Sequence, residues 1–136
     1  MKYKFEINTL HSVESLRLLL SDPAFLFPKI FRDIKEIKVG RSSFYGNAKY
    51  MWIYHDFNGN VYSSLDEISY VFTLRHGKDS GIGKIILLLE PNKVTLSIEY
   101  EGWMERLASS ALKSWTNEFI KNFEEDVRIE RIKRKI

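Results

Sequence analysis

Apolar residues fall on alternate positions from Lys2 to Thr9, with Tyr3, Phe5 and Ile7 set against Lys4, Glu6 and Asn8. A period of two predicts a half-buried strand. Ser12 then stands where it can cap a helix over Val13 to Leu20, and Asp22-Pro23 offers a second cap with proline at the first helical position. Pro28 predicts a restart of the chain into Lys29-Ile30-Phe31, so two or three short helical turns follow the first strand.

From Ile34 to Glu101 the pattern changes to strands and turns. IKEIKV, AKYMWIYHDF, a turn at Asn58-Gly59, EISYVFTLRH, IGKIILLLE, a turn at Pro91-Asn92 and KVTLSIEYE predict a meandering antiparallel sheet. In the last strand Val94, Leu96, Ile98 and Tyr100 alternate with Thr95, Ser97, Glu99 and Glu101. Ile85, Leu87 and Leu89 join the inward set, while the apolar Ile86 and Leu88 leave an outer face that a homodimer could cover. From Gly102 to Val127 the period becomes helical: Met104, Leu107, Ala108, Ala111, Leu112, Trp115, Phe119, Ile120, Phe123 and Val127 make one stripe. This helix is about 39 Å long and crosses the whole sheet. Its middle, Ala108-Ser109-Ser110-Ala111, is four small residues in a row.

Composition sets the class. The chain of 136 residues, 44% hydrophobic and 29% charged, is one globular α+β domain, residues 1–136. It has no cysteine, which excludes disulfides, thiolate zinc sites and thiol nucleophiles. It also has no glutamine, with Ile, Lys and Glu plentiful, the direction in which heat-adapted proteins drift. No apolar run approaches a membrane span or a signal peptide, so the expected location is cytoplasmic. The net charge of +3 resides in RIERIKRKI, Arg128 to Ile136, with five bases and one acid; elsewhere acids slightly outnumber bases. A basic tail, read as the solvated end of a helix, predicts no nucleic-acid face. Transient contact of that tail with an acidic membrane surface is its other reading.

A strand, two short helices, a run of antiparallel strands and a long C-terminal helix resemble the helix-grip fold of the START-like superfamily. The superfamily includes lipid-transfer domains, birch-pollen-allergen-like proteins and polyketide cyclases. The resemblance is carried by YKFEINTLHSVESLRLLLSDPAFLFPKIF and KIILLLEPNKVTLSIEYEGWMERLASSALKSW, and so spans the chain. More closely, the sequence resembles a small archaeal branch of thermoacidophiles, which implies carriage of a long-chain fatty acid. VGRSSFYGN lacks the glycine-rich loop of plant members, so their ligand contacts do not carry over.

On a sheet gripped by a helix, small residues at 108 to 111 leave a hollow sealed on either side by Met104, Trp115 and Phe119; the alternative is close helix-to-sheet contact. The expected lining comprises Phe5 and Ile7 from the first strand and Leu19, Phe25, Phe27 and Ile30 from the short helices. The sheet adds Trp52, Tyr54, Phe72, Leu74, His76, Leu87, Leu89, Leu96, Ile98 and Tyr100, and the last helix Met104, Leu107, Ala108, Ala111 and Trp115. Tyr54, His76 and Tyr100 are the candidate polar tips for a head group, with Arg41 and Arg75 at the rim. Leu16 to Phe31, apolar nearly all round, is the expected portal.

Other chemistry falls away. HGKDSGIGK misses the phosphate-loop spacing by one residue, and Ile85 stands where that loop needs a hydroxyl. His11, His55 and His76 show no metal-ligand spacing, and no GxSxG elbow is present. The expectation is a carrier with no metal, cofactor or catalytic residue. The runner-up, motivated by the tyrosines and His55-Asp56, is an enzyme of the cyclase or hydrolase kind.

Overall fold

The computed structural model describes all residues, 1–136. Strand β1 (Lys2–Asn8) leads into helices α1 (Val13–Leu20) and α2 (Pro23–Ile30). Six strands follow: β2 (Ile34–Val39), β3 (Ser43–Tyr50), β4 (Ile53–Ser63), β5 (Glu67–His76), β6 (Asp79–Glu90) and β7 (Lys93–Gly102). Helix α3 (Glu105–Arg134) closes the chain. All strands join one antiparallel sheet in the order β1-β7-β6-β5-β4-β3-β2. The meander is therefore sequential except at β1, which returns to lie beside β7.

The caps form as their chemistry requires. The Ser12 hydroxyl accepts from Ser15 N–H at 3.2 Å, and Asp22 Oδ1 accepts from Ala24 N–H at 3.0 Å with Pro23 opening α2. Pro28 does not restart the chain. It sits inside α2, where the lost N–H bond is offset by burial of Phe25, Leu26, Phe27 and Ile30 on both sides of it.

The Asn58-Gly59 turn expected from sequence is absent, and the chain reverses instead at Met51-Trp52. Gly59 lies mid-strand, paired with Phe44 and Phe72 on either side. A Cβ there would press on the Val71 carbonyl and the Phe44 ring, so this glycine provides a flat spot for neighbouring rings. Gly83 does the same for Phe72. Met51 and Trp52 both take left-handed backbone, φ 50° and 70°, as a two-residue hairpin turn demands.

The inner sheet face, α1, α2 and the C-terminal half of α3 enclose one core. Phe27 centres its aromatic part, with the rings of Phe31, Phe44, Phe57 and Phe72 at 4.7, 4.8, 5.1 and 5.1 Å. Leu16, Leu19, Leu20, Leu26 and Ile30 are completely covered. The segment expected as a portal is thus largely core, packed against sheet and α3 together, with Leu18 left 57% exposed. No helix is long and apolar enough to cross a membrane.

Helix α3 runs on to Arg134, seven residues past the expected end at Val127. Its basic last turns are tied down: Arg131 Nη1 meets His11 Nδ1 at 3.0 Å, and Arg134 bonds Asp22 at 2.6 Å and Glu130 at 2.8 Å. Cations in a last helical turn also suit the helix dipole.

Candidate functional site

The buried stripe of α3 is Leu112, Thr116, Phe119, Phe123 and Val127. Thr116 is tolerated there because its hydroxyl donates back to the Leu112 carbonyl at 2.8 Å. Toward the N-terminus the stripe thins. Ser109 turns its hydroxyl to Tyr3, Ala111 is half-buried, and Ala108 presents a single methyl to the sheet.

Beneath Ala108 lies a cavity of about 70 Å³. Met104, Ala108, Leu112 and Trp115 roof it; Ala48, Tyr50, His55, Phe57, Phe72, Leu74 and Tyr100 of the sheet form its floor; Met1, Phe27, Phe31, Asp33 and Ile34 close the side. Fourteen of these sixteen residues are hydrophobic, and the two exceptions, Asp33 and His55, are neighbours. Of the four small residues Ala108 alone borders this hollow, an apolar one with its charge confined to one spot.

That spot is built by pairing. His55 is the third residue of β4 and faces inward opposite Ala48, whose missing bulk makes room for the ring. Asp33 is pinned beside β3 by the bond from Lys49 N–H to its carbonyl, 3.0 Å. His55 Nε2 stands 3.5 Å from Asp33 Oδ2. The imidazole is 7% exposed, its Nδ1 has no hydrogen-bond partner, and the Trp103 indole lies against it at 5.7 Å. Trp103 in turn stacks flat on His76 at 4.8 Å.

Seven residues expected in the lining are there: Phe27, Phe72, Leu74, Tyr100, Met104, Ala108 and Trp115. Ile7, Leu19, Phe25, Ile30, Leu87, Leu89, Leu96 and Ile98 belong instead to the close-packed core, and Phe5 packs against its edge. Ala111 stands beside the cavity rather than in it. Leu107, 60% exposed, lies on the solvent side of α3.

The polar tips differ from expectation. Trp52, at 85% exposed, occupies the turn, and the two turn residues break the alternation, so Tyr54 points outward and His55 inward. His76 keeps the inward parity but lies beyond the covered part of the sheet, exposed, with Nδ1 2.7 Å from the Tyr54 carbonyl. Tyr100 lines the cavity with its hydroxyl already donated to the Trp103 carbonyl at 2.6 Å; burial, then the Glu105 charge, push that phenol up to about 12. Arg41 and Arg75 are exposed and absent from the lining, Arg75 opposite Asp56. No three His, Asp or Glu side chains converge on a metal-sized position.

A solved structure of a hypothetical protein from Sulfolobus tokodaii is 29% identical, covers 98% of this chain and 99% of its own, and superposes with TM-score 0.80. A conserved protein from Geobacillus kaustophilus, 14% identical over 93% of both chains, gives 0.70, and Ara h 8.0201, 12% identical over 93% and 97%, gives 0.60. The chain is a helix-grip protein. A family model matches residues 1–136, so this helix-grip chain belongs to that family from end to end. None of the curated proteins matches its sequence. In this chain the hollow lies between the sheet and the long helix.

Proposed function

We propose that this helix-grip protein binds and carries a hydrophobic ligand of the long-chain fatty-acid kind between its sheet and α3, without altering it. The observation that carries the reading is the apolar hollow beneath Ala108, fourteen of whose sixteen lining residues are hydrophobic. At about 70 Å³ the hollow is smaller than the roughly 300 Å³ at which small-molecule sites begin, so a long chain enters only as the roof lifts. The N-terminal half of α3 is the part suited to lift. It starts at Met104 without a side-chain cap and holds only Leu112 and Thr116 fully covered, whereas Phe119, Phe123 and Val127 anchor the other half. Burying about a dozen methylenes at about 0.8 kcal/mol each gives roughly 10 kcal/mol, against an association cost of about 4 or more. That margin, at most about 6 kcal/mol, supports binding in roughly the tens of micromolar before any cost of opening.

Replacing Ala108 by Trp fills the hollow directly. Titration of delipidated protein with a fluorescent fatty acid should show binding to the parent and little to A108W; equal affinity in a folded A108W would remove the proposal. Native mass spectrometry of material that co-purifies identifies the ligand.

Contact with a lipid surface, on this reading, belongs to the β3–β4 tip rather than to the C-terminal basic run. Trp52 and Met51 project there beside cavity-lining Tyr50, with Lys49 Nζ 4.6 Å from the Trp52 ring, the aromatic and cationic pairing that interfaces of bilayers favour. One observation favours an enzyme instead, the closeness of His55 and Asp33 in an otherwise apolar cavity. Recovery of a chemically changed ligand, abolished by His55→Phe, would decide for it.

A further inference from the structure

His55 Nδ1 is the one buried side-chain nitrogen or oxygen of the chain without a hydrogen-bond partner. Such atoms are rare in folded proteins, since leaving one unpaired costs as much as losing a hydrogen bond outright. This one belongs to a residue that lines the cavity, and the cavity's remaining lining, Asp33 apart, is hydrophobic. A ligand lying in the hollow therefore meets charge-bearing side chains at one spot, His55 beside Asp33.

The chemistry of that position follows from its neighbour. A carboxylate accepts hydrogen bonds and cannot donate them. Asp33 Oδ2, 3.5 Å from Nε2, favours the imidazole proton on Nε2 by charge attraction. Nδ1 is then left as a bare lone pair. Of the lining hydroxyls, Tyr100 is committed to the Trp103 carbonyl. We infer that His55 Nδ1, covered in the closed chamber, accepts a hydrogen bond from the polar end of the ligand once the roof lifts, with Asp33 as the positioning residue. The site thus selects an apolar chain ending in a proton donor, an alcohol or an un-ionised acid, over one ending in an ether, an ester or an ionised carboxylate. An ionised end would also bring a second negative charge beside Asp33, which the low-polarity surroundings penalise.

The inference rests on the carrier reading, and one experiment separates the two. Delipidated full-length protein is titrated with 1-tetradecanol and with methyl tridecyl ether, its isomer of the same size, which lacks the donor. The expected result is binding of both, with the alcohol favoured roughly three- to tenfold, the worth of one such bond. The preference disappears in His55→Phe, which fills the same space without an acceptor, and returns in part in His55→Gln. In the unmutated protein the His55 Nδ1 nitrogen resonance moves on adding the alcohol and stays on adding the ether, a change that a purely structural histidine would not give. Equal affinities, or a preference that survives in His55→Phe, overturn the anchor while leaving the carrier intact. Binding of neither probe overturns the carrier and the anchor together.

Discussion

The Tyr50 ring meets the Trp115 indole edge to face, centroids 5.7 Å apart at 85°, and so joins the end of β3 to the thin half of α3 across the cavity. Aromatic pairs of this geometry contribute about 0.5–1.5 kcal/mol beyond burial. Trp115→Ala should lower stability by about 1–2 kcal/mol in urea denaturation and speed ligand exchange in stopped-flow fluorescence. Unchanged exchange would place the way in elsewhere.

The two halves of α3 should respond differently to truncation. Phe119 is fully covered, and Phe119→Ala is expected to cost about 3–5 kcal/mol. Leu107→Ala, on an exposed side chain of the same helix, should stay within about 0.5 kcal/mol. Chemical denaturation of both variants checks the contrast, and a large effect at Leu107 would mean that α3 is seated differently.

Alkaline stability should report Tyr100. Its folded value, raised to about 12 chiefly by burial, lies above the ordinary phenol value of 10. A raised value means that the folded state holds the proton more tightly. The resulting stability is complete below about pH 10 and is lost as pH rises through about 12. Urea midpoints measured between pH 9 and 12 should therefore fall more steeply for the parent than for Tyr100→Phe, and parallel curves would assign the alkaline loss to other groups.

The Met51-Trp52 turn holds two bulky residues in left-handed backbone, φ 50° and 70°, a conformation that costs about 1–2 kcal/mol per residue without glycine. Replacing the pair by Asn-Gly should raise stability by about 1 kcal/mol or more. The same exchange should weaken cosedimentation with anionic vesicles, since it removes the exposed Trp52 ring over which Lys49 lies. A variant that gains stability and binds vesicles as before would separate the strain from any lipid contact.

Periodicity read well wherever one force decided the structure. Ser12 and Asp22 cap because only their side chains could, and Glu67–His76 alternates because one face is buried along most of its length. The β3–β4 hairpin was illegible for a physical reason: Asn58-Gly59 carries the residues of a turn, yet Gly59 is required where rings cross the strand, while Met51-Trp52 turns without turn residues. That displacement hid His55. Once the reversal is placed at 51 and 52, alternation brings His55 and Phe57 inward and sends Tyr54 out. Asp33 carried no such signal, since its position depends on a backbone bond from Lys49.

The pairing of β1 with β7 joins Lys2 to Glu99 and Asn8 to Lys93, positions about two-thirds of the chain length apart. During synthesis the first strand waits on the ribosome with its backbone groups unmated until the seventh has emerged. Topologies of such remote pairing fold in roughly milliseconds to seconds. The nascent protein therefore spends its most vulnerable interval with an open strand edge and a greasy inner surface still uncovered by its last helix.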